Sequence, residues 1–276
     1  MHTFTILGTR GGMFVAEGRG TRYGIHTTCM VLKTPRGVLV IDAGTGLPAA
    51  FSTAVQPGSP PPPLSILFTH FHLDHVVGLP LFHVLYNPRA STCLLGDPRR
   101  AWRDALQTLV APPYWPVELL KCGAEMELRD LPLSSDAMEI CGVKVTWCSV
   151  LHPQECLAYR LEVDRKSYVV ATDREHGDAA LDAAFLRFCK GADILIHDAQ
   201  YLPEEYGSHR GWGHSTFSAA AAVAKAADVG RLILTHHEAT RTDAEIDQIV
   251  ERVRTLFPDT DSAKEGMCFS ANGGLS

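Results

Sequence analysis

Three features that often reveal a protein's class are missing from this 276-residue sequence. No apolar run is long enough to span a membrane, so no membrane partner is expected. The eight cysteines are scattered without a C-x-x-C pair, which disfavours a disulfide framework and a cysteine zinc site. The N-terminus lacks a basic start followed by an apolar stretch, so no signal peptide is predicted. Together these absences predict a cytoplasmic protein with reduced thiols.

Positive charge is also scarce. Lysine and arginine number 25 against 31 aspartates and glutamates, which gives a net charge of −6. The chain therefore has no basic field to attract nucleic acid, and a large RNA is not an expected partner. Bound metal ions would still create a local positive site. The hydrophobic fraction of 46% and charged fraction of 20% are ordinary for a folded globular protein.

What is present is a series of short apolar segments, which alternate with helical ones in the last third. Strands are predicted over residues 3–8, 27–33, 37–42, 64–69, 143–151, 157–163, 167–172, 192–198 and 231–237. Helices are predicted over residues 97–109, with Pro98 near the start, and over 178–190, 215–228 and 242–257. The proline-rich stretch 57–63 predicts a surface loop. This order favours a layered α/β domain with helices outside two sheets.

The motif THFHLDH at residues 69–75 contains three histidines and an aspartate directly after a predicted strand. If the chain stays extended through residues 70–72, the imidazoles of His70 and His72 point the same way. Asp74 and His75 follow a tighter turn and can point to a second place nearby. Because histidine and aspartate are poor core residues and good metal ligands, the motif predicts a loop that holds two metal ions.

Three further side chains that can bind a metal each lie at the end of a predicted buried strand, namely His152, Asp173 and His236. Any one of them alone could equally be a hydrogen-bonded residue that ends a strand. Four strand ends of this kind, including the motif, favour a binuclear metal site. His237 is the alternative to His236 as the last ligand.

In this order the residues resemble the metallo-β-lactamase-fold hydrolases, and VIDAGTG at residues 40–46 is similar to that family's early aspartate turn. The resemblance covers most of the chain and implies one domain over residues 1–276, a four-layer αββα sandwich. It implies that His70, His72 and His152 hold one metal, that Asp74, His75 and His236 hold the other, that Asp173 bridges them, and that Asp42 orients the loop. His236 is favoured over His237 because it directly follows LILT. The cofactors implied are two divalent transition-metal ions, with zinc favoured over manganese or iron.

A second pair of residues points to one branch of the family. His214 lies in GWGHST, ahead of a predicted helix with Ser215 as its N-cap, where a phosphate would be favoured. Asp198 ends the strand in ILIHDAQY. The pair resembles the phosphodiesterase branch that includes ribonuclease Z, in which a histidine oriented by a carboxylate protonates the leaving oxygen. That enzyme usually has glutamate where Asp198 stands, and the alternative for His214 is a plain helix cap.

The substrate is expected to be small. Ribonuclease Z carries a long arm between the residues corresponding to His152 and Asp173, whereas here twenty residues separate them and predict a hairpin. Motifs such as ATDRE and HDAQY resemble bacterial phosphodiesterases of the cyclic-nucleotide type. The resulting hypothesis is a binuclear phosphodiesterase in which metal-activated hydroxide attacks phosphorus. Asp74 also orients the water, and His214 acts as general acid.

Several alternatives stay open beside this hypothesis. They are a ribonuclease Z-like RNA-processing enzyme, a thioesterase or lactamase of the same fold, and a nucleotide-sensing scaffold without activity. A flavodiiron-type redox protein is disfavoured, because it would normally have a carboxylate where His72 stands. A homodimer is expected only because members of the family are often dimers.

Overall fold

A computed structural model describes residues 1–12, 22–51, 61–134 and 137–270. Within them, no helix is long and apolar enough to cross a membrane. The strands are β1 (Thr3–Gly8), β2 (Arg10–Gly11), β3 (Cys29–Thr34), β4 (Gly37–Ile41), β5 (Leu64–Leu67), β6 (Ser91–Gly96), β7 (Glu125–Asp130), β8 (Met138–Ile140), β9 (Val143–Val150), β10 (Cys156–Val163), β11 (Lys166–Ala171), β12 (Ile194–Asp198), β13 (Arg231–Thr235), β14 (His237–Glu238), β15 (Thr260–Ser262) and β16 (Cys268–Ser270). The helices are α1 (Leu73–Val76), α2 (Trp102–Leu109), α3 (Ala179–Cys189), α4 (Tyr206–His209), α5 (Phe217–Ala226) and α6 (Asp243–Arg254), with short 3-10 helices at Leu47–Phe51, His83–Tyr86 and Leu119–Lys121.

Most of these strands form two seven-stranded sheets. The first has the spatial order β16-β1-β3-β4-β5-β6-β7, and the second has the order β15-β13-β12-β11-β10-β9-β8. Strands β4 to β7 run parallel in the first sheet, as do β11, β12, β13 and β15 in the second. The remaining neighbours in both sheets pair antiparallel. Each sheet is therefore antiparallel in one half and parallel in the other.

Three apolar layers hold the sheets and helices together. The layer between the sheets contains Phe4 and Leu67 from the first sheet with Tyr159 and Ile196 from the second. A second layer around Trp102 of α2 covers the outer face of the first sheet. A third layer, with side chains of α3, α5 and α6, covers the outer face of the second sheet. Each large apolar side chain buried in this way contributes roughly 1.5–3 kcal/mol to the stability of the fold. With helices outside two packed sheets, the predicted αββα sandwich is confirmed.

The parallel strands position the candidate site, because the carboxyl ends of parallel strands meet at one edge of a sheet. In the first sheet, Asp42 follows β4, and the THFHLDH motif comes just after β5. In the second sheet, Asp173 follows β11 within two residues, Asp198 ends β12, and His236 follows β13. His152 follows β9, the antiparallel neighbour of β10. One edge of the sandwich therefore gathers side chains from both sheets.

The structure differs from the sequence prediction at the ends of elements and in strands that were not predicted, among them β6, β7, β8, β15 and β16. Helix α2 begins at Trp102, so Pro98 lies outside it. The prediction that Ser215 is the N-cap of α5 was wrong: Thr216 is the N-cap and its side chain accepts from Ala219 N, while the Ser215 hydroxyl donates to the Arg174 carbonyl at 2.6 Å. The hairpin predicted between His152 and Asp173 is present as β10 and β11. Most of the predicted loop 57–63 falls outside the described residues.

Candidate metal centre

The predicted metal ligands lie together at the edge where the two sheets meet. The ligand atoms of His70, His72 and His152 lie within 4.8 Å of one another. Those of Asp74, His75 and His236 form a second group by the same measure, and Asp173 groups with His70 and His75. The grouping is the one that the sequence resemblance implies: two clusters of three, joined by one carboxylate.

Four buried atoms in this cluster have no hydrogen-bond partner among the described residues: the Nε2 atoms of His70, His75 and His236, and Oδ2 of Asp173. Leaving such an atom buried and unpaired costs about 1–3 kcal/mol. The atoms converge, since Asp173 Oδ2 lies 3.1 Å from His75 Nε2 and 3.4 Å from His236 Nε2. Convergent nitrogen and oxygen lone pairs without partners suit divalent cations, so the residues fit a metal site.

Asp173 faces both groups of ligands. Its Oδ1 lies 3.8 Å from His70 Nε2, whereas its Oδ2 is turned toward His75 and His236. Burial alone would raise the pKa of this carboxyl, but the imidazoles of His236, His75 and His70 hold the pKa well below its usual range. The carboxylate is therefore charged and has one oxygen for each group, as a bridging ligand requires.

Three of the histidines are oriented by a hydrogen bond at the ring nitrogen that faces away from the cluster. His75 Nδ1 lies 2.8 Å from Asp42 Oδ2, and the same carboxylate accepts from the backbone N–H and hydroxyl of Thr69. His236 Nδ1 lies 3.0 Å from Gln200 Oε1, and His152 Nδ1 lies 2.9 Å from the carbonyl oxygen of Gly213. Each contact fixes the tautomer that leaves Nε2 free to bind a metal. The role of Asp42 was expected, whereas nothing in the sequence pointed to Gln200 or the Gly213 carbonyl.

Backbone strain marks the same edge of the molecule. Asp42 has φ of 60° and His236 has φ of 59°, both in the left-handed region that non-glycine residues rarely occupy. Such a conformation costs on the order of 1–3 kcal/mol and often occurs at functional sites. His237, the alternative ligand, turns instead to Ser262, whose Oγ lies 2.6 Å from its Nε2. The structure therefore brings His236 and not His237 into the cluster.

His214 lies beside the candidate metal ligands and pairs with Asp198. Its Nδ1 is 2.8 Å from Asp198 Oδ2, and its ring packs on His236 at 4.9 Å and on His152 at 5.4 Å between centroids. Burial alone would lower the pKa of His214, but Asp198, by its charge and hydrogen bond, and the more distant Asp173 raise the pKa to about 9. The imidazole is thus protonated at neutral pH and can donate a proton.

Asp198 is itself fixed by the backbone. Its Oδ1 accepts from Ser215 N at 3.0 Å and from Gln200 N at 3.1 Å, and its side chain is fully buried. His214 also groups by distance with His152 and Asp173, and with Asp198 and His236, so proximity alone would allow it as a ligand. The engagement of its Nδ1 by a buried carboxylate favours the role of an oriented acid.

Glu175 holds the loop that carries His214, a role that was not predicted from the sequence. Its Oε1 accepts from Gly211 N at 2.7 Å and from the Tyr206 hydroxyl at 2.8 Å, and its Oε2 accepts from Gly213 N at 2.8 Å. Gly213 has φ of +92°, and a Cβ there would lie 2.1 Å from His152 Nδ1, so only glycine fits. The loop therefore packs directly against His152, a candidate metal ligand.

Comparison with known proteins identifies the family to which this chain belongs. Residues 38–237 match the family model described as Beta-lactamase superfamily domain. The chain belongs to the β-lactamase superfamily. Within this superfamily it has the fold of the metallo-β-lactamase hydrolases, and the matched residues include the whole candidate site.

Two ribonucleases resemble this superfamily member at low sequence identity. Ribonuclease Z from Lachnospira eligens is 25% identical, with 95% of each chain covered. Ribonuclease BN from Escherichia coli O1:K1 is 25% identical over 86% of this chain and 90% of that protein.

Solved structures resemble the chain in fold over nearly its whole length. The metallo-β-lactamase fold protein YhfI from Bacillus subtilis superimposes with a TM-score of 0.74 at 19% identity, covering 98% and 100% of the two chains. A diphosphatase of the PhnP family gives 0.69 at 20% identity, covering 97% and 96%. The Zn²⁺-bound PqqB from Methylobacterium extorquens gives 0.72 at 18% identity, covering 98% and 100%.

Proposed function

We propose that this superfamily member hydrolyses small phosphodiesters at a binuclear metal centre, with His214 as the general acid. One observation carries the proposal: the His214 imidazole, paired with Asp198 at 2.8 Å, packs against two candidate metal ligands. Lactam and thioester hydrolysis by this fold would use the ligands but would not need that pair. Departure of an alkoxide from phosphorus does need a proton.

The residues proposed to hold the two ions are those of the two distance groups, with Asp173 shared between them. Neutral imidazoles and carboxylates favour zinc, with manganese and iron as alternatives. When bound, two divalent ions supply positive charge that polarises the phosphoryl oxygens and makes water more acidic.

Residues of the chain itself supply the proton transfer and the orientation of the groups. His214 donates its proton to the leaving oxygen, and Asp198 keeps the imidazole charged and aimed. Burial raises the pKa of Asp74, but His75 and His236 hold it below its usual range, so the carboxylate can accept a hydrogen bond from the attacking water. Asp74 Oδ2 also accepts from Gly12 N at 2.8 Å, which fixes its position.

Substrate size is the next part of the proposal. Only the short hairpin of β10 and β11 lies between His152 and Asp173, and the net charge of −6 offers no general attraction for RNA. The 307-residue alignment with ribonuclease Z is longer than this chain, so the relative has residues without a counterpart here. These observations favour small substrates such as cyclic nucleotides. A cytoplasmic location and a homodimer stay predictions.

A second candidate function is RNA processing like that of ribonuclease Z, favoured by the similarity over 95% of the chain. A substrate panel on metal-loaded protein separates the candidates. It would contain bis-p-nitrophenyl phosphate, cyclic mononucleotides, a precursor transfer RNA, a β-lactam and a thioester, with chelator-treated protein as the control. We expect turnover of the small phosphodiesters only. Efficient removal of a transfer RNA 3′ trailer would establish the second candidate, and turnover confined to the lactam or thioester would contradict both.

A further inference from the structure

A cavity of about 500 Å³ opens beside the metal ligand His152 and is assigned no role by the hydrolysis described above. This volume lies within the range of small-molecule sites, roughly 300–1,000 Å³. Leu151 and Pro153 form part of its wall, and Tyr206 and Arg210 form another part. Because His152 belongs both to this wall and to the metal cluster, a group in the cavity would lie next to a phosphate at the metals.

The aromatic part of the wall is held in place. The ring of His176 stacks on Tyr206 at 4.5 Å between centroids, and the Tyr206 hydroxyl donates to Glu175 at 2.8 Å. The Arg210 guanidinium lies over the Tyr206 ring, 5.8 Å from its centroid. A guanidinium has five N–H donors, so its contact with Tyr206 leaves other donors available to a ligand.

Arg210 can offer only hydrogen-bond donors to a ligand in the cavity. Among the described residues, Arg210 forms no ion pair. The Glu175 carboxylate is already occupied by Gly211 N, Gly213 N and Tyr206. His176 Nδ1 is buried and has no hydrogen-bond partner in the described part of the chain. An occupant is therefore favoured if its polar edge presents two adjacent acceptors.

We propose that this cavity is a nucleobase subsite that prefers guanine, so that the substrate is a guanine-bearing phosphodiester. The inference rests on the proposed function, because the phosphate of the same molecule would lie at the metals. The O6 and N7 acceptors of guanine match the two parallel N–H groups of an arginine. Adenine and cytosine present an amino donor where guanine presents O6, and an arginine cannot accept from it.

The test compares bases and then removes the arginine. Metal-loaded protein is assayed with guanine, adenine, cytosine and uracil cyclic mononucleotides of one ring type, and with bis-p-nitrophenyl phosphate as a base-free substrate. Binding of guanosine and adenosine is measured by calorimetry, which does not depend on turnover. We expect the guanine substrate to have the highest kcat/KM and guanosine to bind more tightly than adenosine.

The variant Arg210→Ala should lower kcat/KM for the guanine substrate roughly 5- to 100-fold, the worth of one bidentate arginine–guanine pair. The loss should come mainly from a higher KM, and it should be smaller for the base-free substrate. Guanosine should also bind more weakly to this variant. Arg187→Ala is the matched control, since Arg187 is exposed on α3 and does not line the cavity. It should change neither measurement.

Three results would overturn the subsite. The first is equal binding of guanosine and adenosine. The second is an equal loss of kcat/KM for all substrates in Arg210→Ala. The third is inhibition of the guanine substrate's hydrolysis by ribose 5-phosphate as strong as its inhibition by guanosine. The last would indicate a site for a second anionic group. Hydrolysis of phosphodiesters without base preference would contradict the subsite and leave the proposed function standing. Guanosine binding that depends on Arg210, in a protein that hydrolyses no phosphodiester, would support the subsite and contradict the proposed function.

Discussion

The metal cluster and the loop that carries His214 are neighbours, but they are held in place by different means. The candidate metal ligands follow the ends of β5, β11 and β13, strands whose backbone hydrogen bonds and buried faces fix them within the sheets. The loop at residues 210–214 has two glycines with positive φ, and the backbone N–H groups of both glycines donate to one side chain, Glu175. Substitutions should therefore separate metal binding from proton donation.

The largest effect is expected from loss of the shared ligand. Purified protein should contain close to two transition-metal ions per chain, and Asp173→Ala should lose most of this metal together with its activity, because both groups of histidines face this carboxylate. Metal analysis by mass spectrometry measures this directly. The exposed Asp104 on α2 provides the control Asp104→Ala. An Asp173→Ala protein that kept both ions and full activity would disprove the bridging role.

Removal of the acid should leave the metals in place. His214→Ala should lower kcat by roughly 10²–10⁴-fold for substrates with a poor leaving group, the usual contribution of a positioned proton donor. The loss should shrink for p-nitrophenolate, which needs little protonation, and Asp198→Asn should show a weaker version of the same pattern. Metal loss in His214→Ala would make the residue a ligand. An equal loss on good and poor leaving groups would indicate phosphate binding instead.

Glu175→Gln tests the connection between the two regions. The amide keeps one acceptor oxygen but places an NH₂ group against one of the loop N–H groups. Because the Gly213 carbonyl also orients His152, we expect activity to fall roughly 10-fold, the low end of the range for residues that support a metal ligand. Metal affinity should fall by less than activity. Glu251→Gln, at an exposed position of α6, is the matched control. Activity and metal affinity equal to those of the unchanged protein would show that the loop is held by other contacts.

The smallest effect concerns the pH at which His214 loses its proton. In metal-free protein, NMR titration should give a pKa for His214 near 9, raised from 6.5 by Asp198, and Asp198→Asn should lower it. Since the folded state raises this pKa, the pair stabilises the protein fully below about pH 6.5, and this contribution is lost as the pH rises through about 9. A His214 signal that titrates at or below 6.5 in the unchanged protein would contradict the pairing.

Strand positions were predictable where the apolar pattern was strong. Residues 3–8 were predicted as a strand and form β1, whose burial alternates along its length. Strand β7, Glu125–Asp130, was not predicted, because its sequence EMELRD is mostly charged and lies at the edge of the sheet with little burial. The cap of α5 was misplaced by one residue, since Ser215 and Thr216 are both good caps and only the fold decides between them.

By itself the sequence determined which polar side chains end or follow the buried strands, and these are the candidate metal ligands and Asp198, whereas His214 was found from the motif GWGHST. This works because apolar periodicity and the polar residue that ends it are local properties of the chain. Only the tertiary structure decided the contacts that orient them. Gln200 meets His236 across 36 residues, and the Gly213 carbonyl meets His152 across 61. Such partners depend on how two sheets pack at one edge, and no local pattern of residues records that packing.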